Sequence, residues 1–276
     1  MNIATNLIAD ATRRIFRDLG DPQAINAAKD ESWRAPLWKA LEDAGLTRAW
    51  VPEALGGAGA PVAEGFEILR ISGEYAVAVP LAETLVAGWA LARAGREVPA
   101  GELKVEVPGK QDPEREAVML MGAAARAMQM TGALQSILER SVAYAKERVA
   151  FERPIGGFQA VQHNLARLAG ETAAALAAAG SAADAIATEP SFNEAVLLEV
   201  ASAKIRVGEA AETGSAIAHQ VHGAIGFSRE HVLHRYTQRL WAWRDDFGPE
   251  SHWALRLGEQ VAARGADALW PALAAR

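Results

Sequence analysis

The stretch Glu147-Arg148-Val149-Ala150-Phe151-Glu152-Arg153-Pro154-Ile155-Gly156-Gly157-Phe158-Gln159-Ala160-Val161-Gln162-His163 lies near the middle of the chain, and its reading decides the fold. A long helical pattern ends in it, breaks at Pro154 and the Gly156-Gly157 pair, and restarts as a helix. Arg148, Phe151 and Gln159 therefore flank one tight loop. Upstream, Asp112-Pro113 supplies an N-cap and a first-turn proline, and the pattern from Glu114 to Arg148 is interrupted only by Gly122 and Gly132. At about 1.5 Å per residue that helix is on the order of 50 Å long. Downstream, Ala160 to Ile186 forms a second long helix, and Thr188-Glu189-Pro190-Ser191 turns the chain. Ser191 with Glu194 makes a capping box for a third helix reaching about His219. Three long helices joined by short turns must pack antiparallel, which makes this half of the chain a helical bundle.

Beyond the third helix, Gln220-Val221-His222-Gly223-Ala224-Ile225-Gly226-Phe227 is a second loop rich in helix breakers. Ser228 then caps a short helix to about Trp243, Arg244 to Pro249 turns, and a last helix runs from Glu250 toward Ala263. In the other direction, Ile3 to Leu19 and Glu31 to Ala44 carry apolar residues at three- and four-residue spacing, the mark of helices with one buried face. Gly45 stops the second of these. Leu46 to Pro61 is a glycine- and proline-rich loop, and helical pattern resumes over Val62 to Ala76 and Pro80 to Arg93. Gly95 to Gln111 is the one candidate boundary. Within it, Leu103 to Val107 alternates like a single strand without a partner. The expected organisation is all-α: a helical domain over 1–95, a short linker over 96–111 and a helical bundle over 112–276.

Composition narrows the function classes. The chain has 276 residues, half of them hydrophobic, which is ample for a packed core. A net charge of −6 with basic residues dispersed along the chain gives no footprint for nucleic acid. Zero cysteines exclude disulfides, thiolate catalysis and cysteine-ligated zinc, and fit a reducing compartment, so the expected location is the cytoplasm. Met1 to Gly20 mixes Asp10, Arg13, Arg14 and Asp18 with apolar residues and reads as an amphipathic helix, not a signal peptide. Neither Ala76 to Ala94 nor Ala173 to Ala187 is long and apolar enough to span a bilayer.

Each glycine-bearing loop places amides and a side-chain donor where a backbone can approach a ligand closely. Arg148 is suited to a pyrophosphate, and Gln159 or Gln220 to an amide or phosphate oxygen. The alternative is that Pro154, Gly156, Gly157, Gly223 and Gly226 merely terminate helices. His219, His222, His231 and His234 recur at three-residue spacing, but no carboxylate is patterned with them as in a zinc-protease helix, and no metal site is expected. Trp241, Trp243 and Trp253 read as core or interface residues. Asp245 and Asp246 read as solvated or capping, with a general base as the other possibility. No nucleophile-elbow pattern supports a hydrolase.

Beyond spacing, Tyr144 through Gln159 strongly resembles the C-terminal domain of the acyl-CoA dehydrogenase family, and Gln220 through Phe227 resembles that domain's second signature, in the same order and separation. Val51-Pro52-Glu53 with Gly56-Gly57-Ala58-Gly59, and Pro80-Leu81-Ala82-Glu83-Thr84, resemble the family's opening domain. The resemblance implies an N-terminal helical domain, a middle β-barrel domain and a C-terminal four-helix bundle, with FAD at a subunit interface. It implies that Arg148, Phe151 and Gln159 contact the adenosine-diphosphate half of FAD, and that Gln220, His222, Gly223 and Gly226 belong to the same site.

Two departures follow. The span between Gly95 and Asp112 leaves room for hardly one strand, so the middle β-barrel domain, which covers the flavin ring and the acyl thioester, is essentially absent. Desaturation of an acyl-CoA also needs a carboxylate to take the α-proton while a hydride leaves to the flavin. The two positions at which the family places that glutamate fall here at Phe247-Gly248 and near Gly122. Asp246, one position away, is the only substitute candidate. The expectation is a subunit that supplies the ADP end of the FAD site to a full-length partner carrying the base, in a heteromer, α2β2 in form, of the kind that handles bulky steroid-type CoA thioesters. A self-sufficient dehydrogenase using Asp246 and a cofactor-free helical scaffold are the alternatives.

Overall fold

The computed structural model describes residues 3–274. The chain folds into α1 (Ile3–Leu19), α2 (Pro22–Ala27), α3 (Arg34–Asp43), α4 (Val62–Tyr75), α5 (Leu81–Arg93), α6 (Glu114–Glu147), α7 (Gln159–Thr188), α8 (Glu194–His222), α9 (Leu233–Asp245), α10 (Glu250–Arg264) and α11 (Leu269–Ala274). The only strands among the described residues are β1 (Val149–Ala150) and β2 (Arg153–Pro154), an antiparallel pair of two residues each. The fold is all-α, and no β-barrel is formed among the described residues. No helix among the described residues is long and apolar enough to cross a membrane.

The core is continuous from Phe16 on α1 through Leu69 on α4 and Leu134 on α6 to Trp253 on α10. Burial of this apolar surface at roughly 25 cal/mol per Å² drives the packing. At the crossing of α4 and α6 it is the backbones that meet. A Cβ on Gly73 would lie 1.8 Å from the Gln129 carbonyl oxygen, and one on Gly132 would lie 1.9 Å from the Arg70 oxygen. Any side chain at either position would drive the helices apart. Around the crossing, Gln129 Nε2 donates to Ser72 Oγ at 3.0 Å, and both Ser136 Oγ (2.7 Å) and Tyr236 Oη (2.9 Å) donate to the Glu74 carbonyl.

Several local expectations are corrected. Leu103 to Val107 forms no strand: the Leu103 N–H donates to Thr84 Oγ1 at 3.0 Å and Val105 packs on the core, so the segment lies along α5 without a ladder. The N-cap of α8 is Asn193, whose side chain accepts from the Ala195 and Val196 N–H groups, and Ser191 makes no capping box. Helix α8 also runs three residues further than expected, so Gln220 and His222 are helical and the stop is Gly223, at φ +63°. Helix α9 starts at Leu233 and not at Ser228, and α2 and α11 were not anticipated.

Candidate functional site

At Arg148 the backbone leaves the helix in an extended conformation. Its N–H still bonds the Tyr144 carbonyl at 2.8 Å, and its own carbonyl accepts from the Ile155 N–H at 2.8 Å, closing the loop. The tip of the β1–β2 hairpin is Phe151-Glu152, with φ +51° and +66°. Left-handed backbone suits the tight hairpin twist but costs non-glycine residues roughly 1–2 kcal/mol each. Such strain clusters at functional positions. What it achieves here is to project Phe151 outward, 90% exposed, its ring edge-on to Phe158 at 6.1 Å. The Arg153 guanidinium lies 4.1 Å from the Phe158 ring centre, and Gln162 Nε2 donates to the Gly156 carbonyl at 2.9 Å. Gly156 sits so close to the Ala145 carbonyl that a Cβ would come within 3.0 Å of it, which lays the turn flat on the end of α6. Arg148, Phe151 and Gln159 are all exposed, and the Arg148 guanidinium has no carboxylate or hydrogen-bond partner among the described residues. Gln159 opens α7, where first-turn amides point out of the helix.

The second turn is joined to the first through one side chain. Tyr144 stacks on His222 with ring centres 4.5 Å apart, and its hydroxyl donates to the His222 carbonyl at 3.3 Å. The C-terminal ends of α6 and α8 thus lie side by side. Gln220 and Gly223 face outward and line an open groove of about 610 Å³ that continues along α8 and α9 past Glu212, Phe227 and Trp241. His222 and Gly226 are placed otherwise than expected for ligand contacts. His222 is buried, with Nδ1 bonded to the Ala218 carbonyl at 2.8 Å. Gly226 is buried with His222 Cβ and Leu233 Cδ2 each 3.0 Å from where its Cβ would be. Both support the turn from beneath.

Burial pushes the His219 and His222 imidazoles below their ordinary range and His231 down to about 4. These rings are neutral at pH 7. Among the described residues no group of three or more histidine or acidic side chains is arranged to hold a metal ion.

The two positions at which the resemblance leads a proton-abstracting glutamate to be expected meet each other in space. Gly122 in α6 faces Phe247 in the turn after α9, and a Cβ on Gly122 would fall 2.3 Å from two carbons of that ring. Phe247 is held in left-handed backbone, φ +56°, with its carbonyl accepting from Trp253 Nε1 at 3.2 Å. Buried Lys204 clamps the same turn, donating to the carbonyls of Arg244 and Gly248. Asp246 points its Oδ2 at Arg126 Nη2, 2.7 Å away. Arg126 is 1% exposed and is shared with Glu83 at 2.7 Å and with the Gln129 side-chain oxygen, its guanidinium 5.5 Å from the Trp243 ring centre.

Sequence reasoning brought forward Arg148, Phe151, Gln159, Gln220 and Gly223, which the fold gathers at one end of the bundle. It missed Arg126, Lys204 and the exposure of Trp241. A lone arginine inside the apolar run from Leu120 to Leu134 was the available signal for the first.

Residues 4–98 match the acyl-CoA dehydrogenase N-terminal domain family and residues 116–244 the acyl-CoA dehydrogenase C-terminal domain family. Acyl-CoA dehydrogenase IpdE2 of Mycolicibacterium smegmatis is 27% identical over 95% of this chain and 100% of its own length. IpdE2 of Mycobacterium tuberculosis is 28% identical over 79% of this chain and 85% of its own. Among solved structures, the ChsE4-ChsE5 complex from Mycobacterium tuberculosis holds a chain that superposes with a TM-score of 0.80 at 20% identity, covering 95% of this chain and 98% of that one. A steroid ACAD variant, Tcur3481-Tcur3483, does so with a TM-score of 0.80 at 21% identity, covering 94% and 98%. At those identities the superpositions show a common fold.

Proposed function

The chain belongs to the acyl-CoA dehydrogenase family of FAD-dependent oxidoreductases, and from that premise we propose that it completes the ADP end of a flavin site whose reactive ring and base sit on a different, full-length subunit. The observation that carries this reading is an asymmetry. The nucleotide-facing set is presented outward and is not internally neutralised, while neither base position carries a carboxylate and the Phe247 ring lies against Gly122.

The residues present fit the cofactor. Arg148 supplies an exposed, unpartnered guanidinium whose geometry suits pyrophosphate oxygens. Phe151 offers an aromatic face held out by strained backbone. Gln159 and Gln220 supply amides, and Gly223 lets a backbone come close. When bound, FAD accepts the hydride in α,β-desaturation of an acyl-CoA thioester. This chain's part is to fix the nucleotide tail and hold the partner's face in register. It has no group placed to take the α-proton: Gly122 and Phe247 fill each other's space, and Asp246 is committed to Arg126. That pairing also argues against a self-sufficient enzyme using Asp246, since its carboxylate is held on the buried Arg126 guanidinium.

The segment 94–113 carries no helix or strand and stands where the family has its β domain, so the cover over flavin ring and thioester must come from the partner. Similarity to a steroid ACAD and to the two-component ChsE4-ChsE5 complex supports an α2β2 heteromer acting on a steroid-type acyl-CoA. A cytoplasmic location accords with a chain free of cysteine. The test is to express the chain alone and together with a full-length family member encoded beside it, and to read flavin absorbance and dehydrogenase activity. Flavin retained only by the pair is expected. A yellow, active protein from this chain alone overturns the reading.

A further inference from the structure

Along one side of α9 the fold leaves two cations unanswered. Arg235 and Arg239 are half-buried, and among the described residues neither guanidinium has a hydrogen bond, an ion pair or an aromatic ring beneath it. The other described arginines without such a partner, Arg14, Arg96, Arg148, Arg167 and Arg229, are all exposed, where water serves. Burial pulls Arg235 and Arg239 below the ordinary arginine range, and Arg239 is lowered further by Arg235 and Arg126, with Glu83 opposing. Both remain charged at pH 7. Withdrawing a cation from water without a carboxylate to meet it costs free energy. Arg70, likewise half-buried, avoids that cost, held by Glu67 at 2.7 Å and Glu74 at 2.6 Å.

The helix itself offers these arginines nothing. No acidic residue lies between Glu230 and Asp245, so neither has a carboxylate three or four positions away. Counted by turns, the side that bears them continues through Ala242 to Asp246. There Asp246 and Glu83 are both already held by Arg126, each at 2.7 Å. The strip thus sets three guanidiniums, those of Arg126, Arg235 and Arg239, against two carboxylates, a positive excess on a chain whose net charge is −6. Arg235 and Arg239 stand one turn apart, about 6 Å along the axis. Carboxylates one turn apart on a helix, or on alternate residues of a strand, match that spacing. The nearby cavity of about 350 Å³ is lined by Lys104, Val107, Asp246 and Phe247 and stops short of both arginines, so it gives a small anion no enclosure beside them.

We infer that this side of α9 is a docking strip for an acidic segment of the full-length partner subunit, one carboxylate meeting Arg235 and a second meeting Arg239. The inference rests on the proposed function for the partner's identity and goes beyond it in naming the surface and its chemistry. Charge selects the occupant. A second copy of this chain, meeting the strip about a two-fold axis, would bring the same positive excess against it. An apolar segment would bury both guanidiniums with nothing to pair them. A guanidinium instead takes a carboxylate through two parallel N–H···O bonds, and charge complementarity of this kind fixes register as well as affinity. Position agrees with charge: the strip ends at Asp246, where the partner's cover over ring and thioester has to begin.

The experiment titrates the full chain against the full-length family member encoded beside it, at low and high salt, and compares the parent with the double variants Arg235→Gln/Arg239→Gln and Arg235→Lys/Arg239→Lys. The glutamine pair should weaken association roughly thirtyfold or more and flatten its salt dependence. The lysine pair, which keeps both charges, should restore the salt dependence and most of the affinity. Because neither arginine has a partner within the chain, the isolated glutamine variant should unfold in urea no earlier than the parent. Carbodiimide, which joins amines to carboxylates, should couple the amine introduced by Arg239→Lys to an aspartate or glutamate of the partner, read by mass spectrometry of the linked peptides. If the glutamine variant binds the partner and retains flavin as well as the parent does, the strip is refuted and the proposed function stands. Earlier unfolding of the isolated glutamine variant gives the arginines a role inside the chain and refutes it too. So does an isolated chain that binds inorganic pyrophosphate, or associates with itself, only while both arginines are present. If the parent chain does not associate with the full-length member at all, the inference and the proposed function fall together.

Discussion

Replacing Gly122 by alanine tests the closure of the base position directly. The new Cβ would lie 2.3 Å from Cδ1 and Cε1 of Phe247 and 2.7 Å from Cγ, well inside contact distance. Overpacking of this kind costs about 1–3 kcal/mol, and three ring carbons so close place it at the upper end. Against this, alanine is favoured over glycine inside a helix by about 1 kcal/mol. The expected net result is a loss of about 2 kcal/mol, which for a chain of this size lowers the melting temperature by about 4 °C. In a Phe247→Gly background the clash is gone and only the helix-propensity gain remains, so the same substitution should stabilise by about 1 kcal/mol. The two positions then show a coupling of about 3 kcal/mol, far above the few tenths expected of independent sites. Urea unfolding followed by helical circular dichroism on the four proteins reads it. Additive effects, or a Gly122→Ala variant as stable as the parent, would refute the contact and with it the physical case that this chain cannot house its own base.

Three further outcomes follow from the geometry. Arg126→Met leaves Glu83 and Asp246 without their shared cation and should cost about 2–3 kcal/mol in urea unfolding, a loss that adding Asp246→Asn partly restores; no change would mean the network contributes nothing. Arg148→Ala should leave the chain's own unfolding midpoint within about 0.5 kcal/mol, because the side chain is exposed, while lowering flavin retention of the assembled enzyme roughly tenfold or more; equal retention in a dialysis assay would contradict its role. His231, held at about 4 by burial, takes up a proton in the unfolded chain near pH 6.5, so the unfolded state binds more protons between those values and stability falls as pH drops through that window. His231→Asn keeps a side-chain acceptor for the Leu233 N–H and should flatten the profile of urea midpoint against pH; an unchanged profile would assign the effect elsewhere.

Most of the fold was legible because the long helices carry their own limits. Gly45, Pro113 and Gly157 punctuate patterns of 3.6-residue period, and the end of α3 and the starts of α6 and α7 fall within two residues of them, whereas α6 stops at Glu147, seven residues before Pro154. Where two polar residues compete for one cap, local sequence was indecisive. Ser191 matched the capping-box spacing, yet Asn193 sits at the residue that turns into α8. A six-residue helix such as α2 spans less than two turns and shows no period. At the site, Arg148, Phe151 and Gln159 were readable from motif and loop. The left-handed backbone of Phe151 and Phe247 was not, since nothing in a phenylalanine announces it. The mutual exclusion of Gly122 and Phe247 joins residues 125 positions apart and exists only in the folded chain.

The reciprocal contact at Gly73 and Gly132 bears on how a shortened chain can serve a larger assembly. With peptide groups of two helices seated against each other, there is no layer of side chains to shear, and the leading third of the molecule is bolted to its longest helix. Excision of an intervening module would ordinarily leave two lobes on a hinge. Here both lobes answer as one body, and a neighbour docking on either of them addresses the whole.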